Sequence, residues 1–114
     1  MHHATVNGIE IHYEVAGPGD GTPVILSNSL ATNFKMWDRQ VEPLQMEGFK
    51  VVRYDSRGHG QSDAPQGPYS IEMLADDAAG LLDYLSIDSA HFCGLSKGGM
   101  VGQMMGVRHA QRIK

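Results

Sequence analysis

The tightest constraint on this chain is Gly94-Leu95-Ser96-Lys97-Gly98. It lies between a short apolar run, Ala90-His91-Phe92-Cys93, and a stretch of helical character from about Lys97 to His109. A G-x-S-x-G pattern between strand and helix describes a turn so sharp that its serine is held at a strained backbone angle. Any side chain at Gly94 or Gly98 would collide with the neighbouring strand or helix, and Gly99 is expected to relieve helix–sheet crowding in the same way. The turn sets the Ser96 hydroxyl at a helix N-terminus, where backbone N–H groups and the helix dipole favour developing negative charge. A serine so placed can attack a carbonyl. A second reading also fits a glycine-rich turn, in which Ser96 is a plain helix N-cap. A phosphate-cradling loop is disfavoured, because G-x-G-x-x-G is absent and Lys97 follows a serine rather than the glycine of G-x-x-x-x-G-K-[ST].

The rest of the chain supplies a layered context for that turn. Ala4-Thr5-Val6 and Ile9 to Val15 flank Asn7-Gly8, the pair suited to the positive φ angles of a type I′ hairpin. Ile9, Ile11, Tyr13 and Val15 alternate with polar residues, as in a half-buried strand. Pro23-Val24-Ile25-Leu26 is apolar without alternation and reads as a strand covered on both faces. Small polar residues, Ser27 to Asn33, follow it. Phe34, Trp37, Val41 and Leu44 recur at helical spacing; Pro43 is expected in the first turn of a short helix ending near Gly48, after a looser turn over 34–39. Phe49 to Tyr54 is a further strand, and the long loop from Asp55 to Tyr69 is rich in Gly, Pro, Ser and Asp. Loops of that length inside compact domains usually have a function. Ser70 caps an amphipathic helix with Ile71, Leu74, Ala75, Ala78, Leu81, Leu82 and Leu85 on one stripe, and Glu72, Asp76, Asp77 and Asp83 assigned to the other side. Five strands and three helices, the strands alternating with helices after an opening hairpin, predict an α/β fold with a mostly parallel sheet.

Composition narrows the function classes. Nine basic against thirteen acidic residues give a formal charge of −4, which argues against a nucleic-acid partner. No apolar run approaches the eighteen residues of a membrane span and no signal-peptide pattern opens the chain, so a cytoplasmic protein with no membrane partner is expected. The single cysteine, Cys93, cannot form an internal disulfide.

Gly94 to Gln103, with Tyr54-Asp55-Ser56-Arg57-Gly58-His59-Gly60-Gln61-Ser62-Asp63 and Ala90 to Cys93, resembles the α/β-hydrolase superfamily. Ser27-Asn28-Ser29-Leu30, followed by Met36-Trp37-Asp38, is similar to its 3-oxoadipate enol-lactonase branch. The similarity runs from about Asn7 to the end. It implies a hydrolase of aromatic catabolism, in the β-ketoadipate pathway, that opens 3-oxoadipate enol-lactone to 3-oxoadipate with no metal or organic cofactor. By that resemblance Ser96 is the nucleophile, and the backbone N–H groups of Leu30 and Lys97 form the oxyanion hole. A serine at 96 separates the chain from the dehalogenases and epoxide hydrolases of the superfamily, which use aspartate there. Met104 stands where enol-lactonases often carry Trp. Lys97 stands where relatives often carry Met, and it reads either as an attractor of a substrate carboxylate or as a solvated lysine at the edge of the turn. His59 reads as a hydrogen-bonded clamp in its loop.

In this fold the triad acid and histidine follow the serine in the chain. After Ser96 there are eighteen residues, with one histidine, His109, and no Asp or Glu. His109 would lie roughly 20 Å away along a helix, out of hydrogen-bond reach. His2 and His3 sit at a terminus, and His12, His59 and His91 are not assigned as bases, His91 being read as packing. The triad acid and histidine are therefore expected to be absent from this chain. Arg108 to Lys114 resembles the lead into a sixth strand. Residues 1–114 are expected to form the truncated core domain, the N-terminal half of such an enzyme without its cap and C-terminal strands, with weak activity or none. Its strand-5 edge is expected to lie open and to promote self-association. Two other functions stay open: another carboxylesterase or perhydrolase of the same fold, and a non-catalytic module binding through the 55–69 loop.

Overall fold

The computed structural model describes residues 2–29, 32–64, 67 and 69–114. In chain order these form β1 (His2–Val6), β2 (Ile9–Ala16), β3 (Thr22–Ser27), a 3₁₀ turn (Phe34–Trp37), α1 (Asp38–Met46), β4 (Phe49–Tyr54), α2 (Ile71–Tyr84), β5 (His91–Gly94), α3 (Lys97–Arg108) and a last 3₁₀ turn (Ala110–Arg112). The strands form one sheet in the order β1-β2-β4-β3-β5. The hairpin and the β2–β4 pair are antiparallel, whereas β3 runs parallel to both β4 and β5. Asn7 and Gly8 have φ of 50° and 83°, as a type I′ turn requires. β1 starts two residues earlier than the expected Ala4, because His2 and His3 continue the ladder opposite Tyr13 and His12.

The sheet is covered on both faces. On one side α2 and α3 pack against Ile11, Ile25, Val52 and Ala90, and on the other the first 3₁₀ turn and α1 bury Val24, Leu26, Trp37, Val41 and Val51. Val24, Ile25 and Leu26 therefore feed both cores in alternation, which is why β3 shows no polar period.

Two expectations need correction. Pro43 is the sixth residue of α1 rather than part of its first turn. The helix tolerates it because Pro43 and Arg39, whose carbonyl it leaves without an N–H partner, are both exposed, while Trp37 and Val41 hold the buried side. Asp77 is not on the solvent face of α2. It is 2% exposed and ion-paired with Arg57, because position 77 lies three residues after Leu74 and four before Leu81, on the same stripe.

β5 is the edge strand, and its outer side carries one bridge. Ala90 donates to the Arg112 carbonyl at 2.9 Å and accepts from the Lys114 N–H at 3.0 Å, in parallel register with Ile113. The edge expected to be open is thus paired at its entrance, and among the described residues has no strand beside it from His91 onward.

Candidate active site

Three strand ends stop on one row. Ser27 pairs with Tyr54 on one side and Gly94 on the other, so the segments starting at Asn28, Asp55 and Leu95 leave the sheet side by side. The carboxyl ends of parallel strands are where open α/β sheets bind ligands.

Leu95 to Gly98 form a closed turn, with the Gly98 N–H donating to the Leu95 carbonyl at 3.0 Å. Ser96, second in that turn, has φ 57° and ψ −112°. These angles belong to the first central position of a type II′ turn, normally a glycine position. Holding a serine there costs about 1–3 kcal/mol, which the surrounding contacts must offset. The angles also decide against the N-cap reading. Ser70, before α2, has the extended backbone of a capping residue and its side chain accepts the Met73 N–H, whereas the Ser96 side chain makes no cap hydrogen bond. The hydroxyl-bearing residue is exposed at the sheet edge.

Gly94 and Gly98 are required by space. A Cβ on Gly94 would overlap the Gly98 backbone, and one on Gly98 would overlap the Ser27 carbonyl, so α3 starts in direct contact with the end of β3. Gly99 does not share this role. A Cβ there would meet nothing nearer than the Gly94 carbonyl oxygen at 3.6 Å, an ordinary contact, because the close approach is confined to the 94–98 pair. Lys97 places its backbone N–H in the first turn of α3, as the oxyanion reading needs, while Leu30 lies outside the described residues.

The two neighbouring loops are shaped by buried polar residues whose importance the sequence did not reveal. The Asn28 side chain donates to the Ser29 and Thr32 carbonyls, both at 3.0 Å, and accepts from the Ser56 N–H at 3.1 Å and hydroxyl at 2.8 Å. Asp55 accepts from the N–H groups of Phe34 at 2.7 Å and Gln61 at 2.9 Å, with His12 Nδ1 at 2.9 Å. Gly60 packs so closely on that carboxylate that a Cβ would overlap it. Arg57 grips Asp77 with two N–H groups, at 2.8 and 2.9 Å. The available signal was an aspartate ending a strand just before Gly-x-Gly, which marks a turn folded around its side chain. Behind these loops the Tyr54 hydroxyl, pushed up to about 12 by burial, sits 3.0 Å from the Ser27 hydroxyl.

The histidines are accounted for elsewhere. His12 is buried against Asp55 on β2, three strand spacings from β5, roughly 14 Å. His91 is exposed and packs edge-on against Phe49. His109 follows the far end of α3 and bonds Asp76 at 2.7 Å. His59 lies by the elbow: its Nδ1 is 3.2 Å from the Arg57 carbonyl and its Nε2 is 3.4 Å from Lys97 Nζ, so it clamps the loop as expected. Met104 packs against the α2–α3 core. Among the described residues no hydrogen bond reaches the Ser96 hydroxyl, and no group of three or more His, Cys, Asp or Glu is placed to hold a metal ion.

Residues 22–114 match the family described as alpha/beta hydrolase fold. The chain belongs to the α/β-hydrolase family. This α/β-hydrolase is 43% identical over 109 residues to 3-oxoadipate enol-lactonase 2 of Acinetobacter baylyi, covering 96% of this chain and 40% of that relative. It is 34% identical over 95 residues to a bifunctional esterase/perhydrolase of Acinetobacter calcoaceticus, covering 83% of this chain and 34% of that protein. The crystal structure of the enol-lactonase from Burkholderia xenovorans LB400 superposes with a TM-score of 0.95 at 51% identity, over 98% of this chain and 44% of that one. The α/β-hydrolase chain thus spans about two-fifths of the length of these two enol-lactonases.

Proposed function

We propose that this chain carries the nucleophile portion of a serine hydrolase that opens an enol-lactone, with 3-oxoadipate enol-lactone, an intermediate of aromatic breakdown in the cytoplasm, as its substrate. The observation that carries this reading is Ser96 itself, held at φ 57° in a turn that suits glycine, exposed, and with no cap bond to occupy its hydroxyl. The Ser96 Oγ attacks the lactone carbonyl, the ring C–O bond breaks, and the enolate oxygen leaves as the hydroxyl of an acyl-enzyme. Water then attacks the acyl carbon and returns the serine. The Lys97 N–H, with that of Leu30, holds the carbonyl oxygen as it gains charge. Proton transfer needs a base at the serine. None of the described histidines bonds Ser96, so turnover by this polypeptide is expected to be very slow.

Similarity to the esterase/perhydrolase supports a second reading, hydrolysis of a simple carboxylic ester through the same acyl-enzyme. Both readings share one test. Prolonged incubation with excess alkyl fluorophosphonate, followed by intact-mass and peptide analysis, should give a slowly formed single adduct on Ser96 that Ser96→Ala abolishes, slow because no base among the described residues assists the hydroxyl. A folded chain that gains no adduct under these conditions, or gains it equally in Ser96→Ala, would overturn both readings.

A further inference from the structure

Lys97 is poorly accommodated by its own surroundings. It opens α3, at the positive end of the helix dipole, and no acidic residue stands in that first turn. Its side chain is half-buried, and burial pushes its pKa down. The buried Arg53 and the half-buried Arg57 and Arg112 each face a carboxylate. Lys97 does not. Its side-chain partner among the described residues is a ring nitrogen, His59 Nε2 at 3.4 Å. His59 Nδ1 lies 3.2 Å from the Arg57 carbonyl, which can only accept, so Nδ1 carries the proton and Nε2 accepts from the ammonium. Arg57 is fixed in turn by its paired bonds to Asp77. A lysine next in the chain to the elbow serine is thus steered to one place, against His59, without its charge being neutralised there.

We propose that Lys97, oriented by His59, binds a carboxylate of the ligand, so that the lactone or ester taken at Ser96 carries an anionic arm. The ammonium has three N–H donors and His59 uses one, which leaves two for carboxylate oxygens. An anion there reverses both unfavourable terms, the helix dipole and the missing counter-charge, and partial burial strengthens the attraction. Departures from local electrostatic rules concentrate where a ligand supplies the balance. The identity of the arm's parent molecule rests on the hydrolase reading above, whereas the carboxylate contact rests on the Lys97–His59 geometry.

Adipate, a stable six-carbon dicarboxylate, tests the contact on the 114-residue chain, with dimethyl adipate as its uncharged counterpart. NMR titration should move the Lys97 and His59 signals with adipate and leave them unmoved with the diester. Lys97→Met should weaken adipate binding about tenfold or more, and Lys97→Arg should retain most of it. A lysine that merely straps two loops together would give equal responses to acid and diester, or an unchanged adipate Kd in Lys97→Met; either result overturns the proposal. Fluorophosphonate labelling of Ser96 is read separately. A chain that is labelled yet takes no adipate at Lys97 loses the carboxylate site and keeps the hydrolase reading.

Discussion

Asn28 shows how one side chain sets the geometry of two loops. It is fully buried, its amide nitrogen satisfies carbonyls of the segment after β3, and its oxygen takes both the N–H and the hydroxyl of Ser56 after β4. Asn28→Ala takes away the partner of the buried Ser56 N–H and of the Thr32 carbonyl, the Ser29 carbonyl keeping its bonds from Thr32, and is expected to cost about 1–3 kcal/mol, read as a lower midpoint in urea with an unchanged slope. An unaltered midpoint would show that water replaces the amide. Residues of this kind were only half legible in the sequence. Asn28 and Asp55 both sat at predicted strand ends, but their partners are 28 and 43 positions away for Ser56 and His12, and no local pattern encodes such pairings. Ser96 was legible because its strain is local: two glycines and a strand–helix boundary within nine residues imply the tight turn.

At the scale of elements, α2 shows what periodicity does and does not say. Its cap at Ser70 and its apolar stripe agree with the sequence, while Asp77 lies within that stripe and uses it to hold the loop of Arg57. The adjacent Asp76 ties α2 to the end of α3. It accepts two bonds from Arg108 and one from His109, and the Arg108 bonds, followed by His109, hold its carboxyl below the usual range despite an opposing effect of burial. A carboxyl with a lowered folded pKa stabilises the fold fully above its unfolded value, about 3.9, and loses that contribution as pH falls through the folded value. Asp76→Asn is therefore expected to flatten the fall in thermal stability below about pH 4. Parallel curves for the two proteins would remove Asp76 from the acid response. The effect is small, since the pair is more than a third exposed. In α1, Pro43 misled because proline rules treat every interior position alike, whereas only a buried, needed hydrogen bond makes a proline intolerable.

For the whole molecule the decisive fact is the sheet order, which brings the ends of β3, β4 and β5 to one edge and, among the described residues, sets no strand on the far side of β5 after Ala90. Beside it, between β5 and α1, Val24, Leu26, Trp37, Pro43, Leu44 and the exposed Cys93 line an apolar groove of about 430 Å³. An open strand edge next to apolar surface promotes pairing between chains. The 114-residue polypeptide is expected to show a sedimentation coefficient that rises with concentration, and Cys93→Lys, which sets a charge on that edge, to return it to the monomer value. A concentration-independent monomer boundary for the unaltered chain would contradict this. By itself the sequence determined what short-range sterics and periodicity control: the hairpin turn, the doubly covered strand, the capped helix and the strained serine. Only the tertiary structure decided which loops stand beside that serine, which acids are buried, and that the charge of Lys97 meets a histidine rather than a carboxylate. Those outcomes depend on strand order and register, which join residues far apart in the chain through contacts that local propensity does not encode.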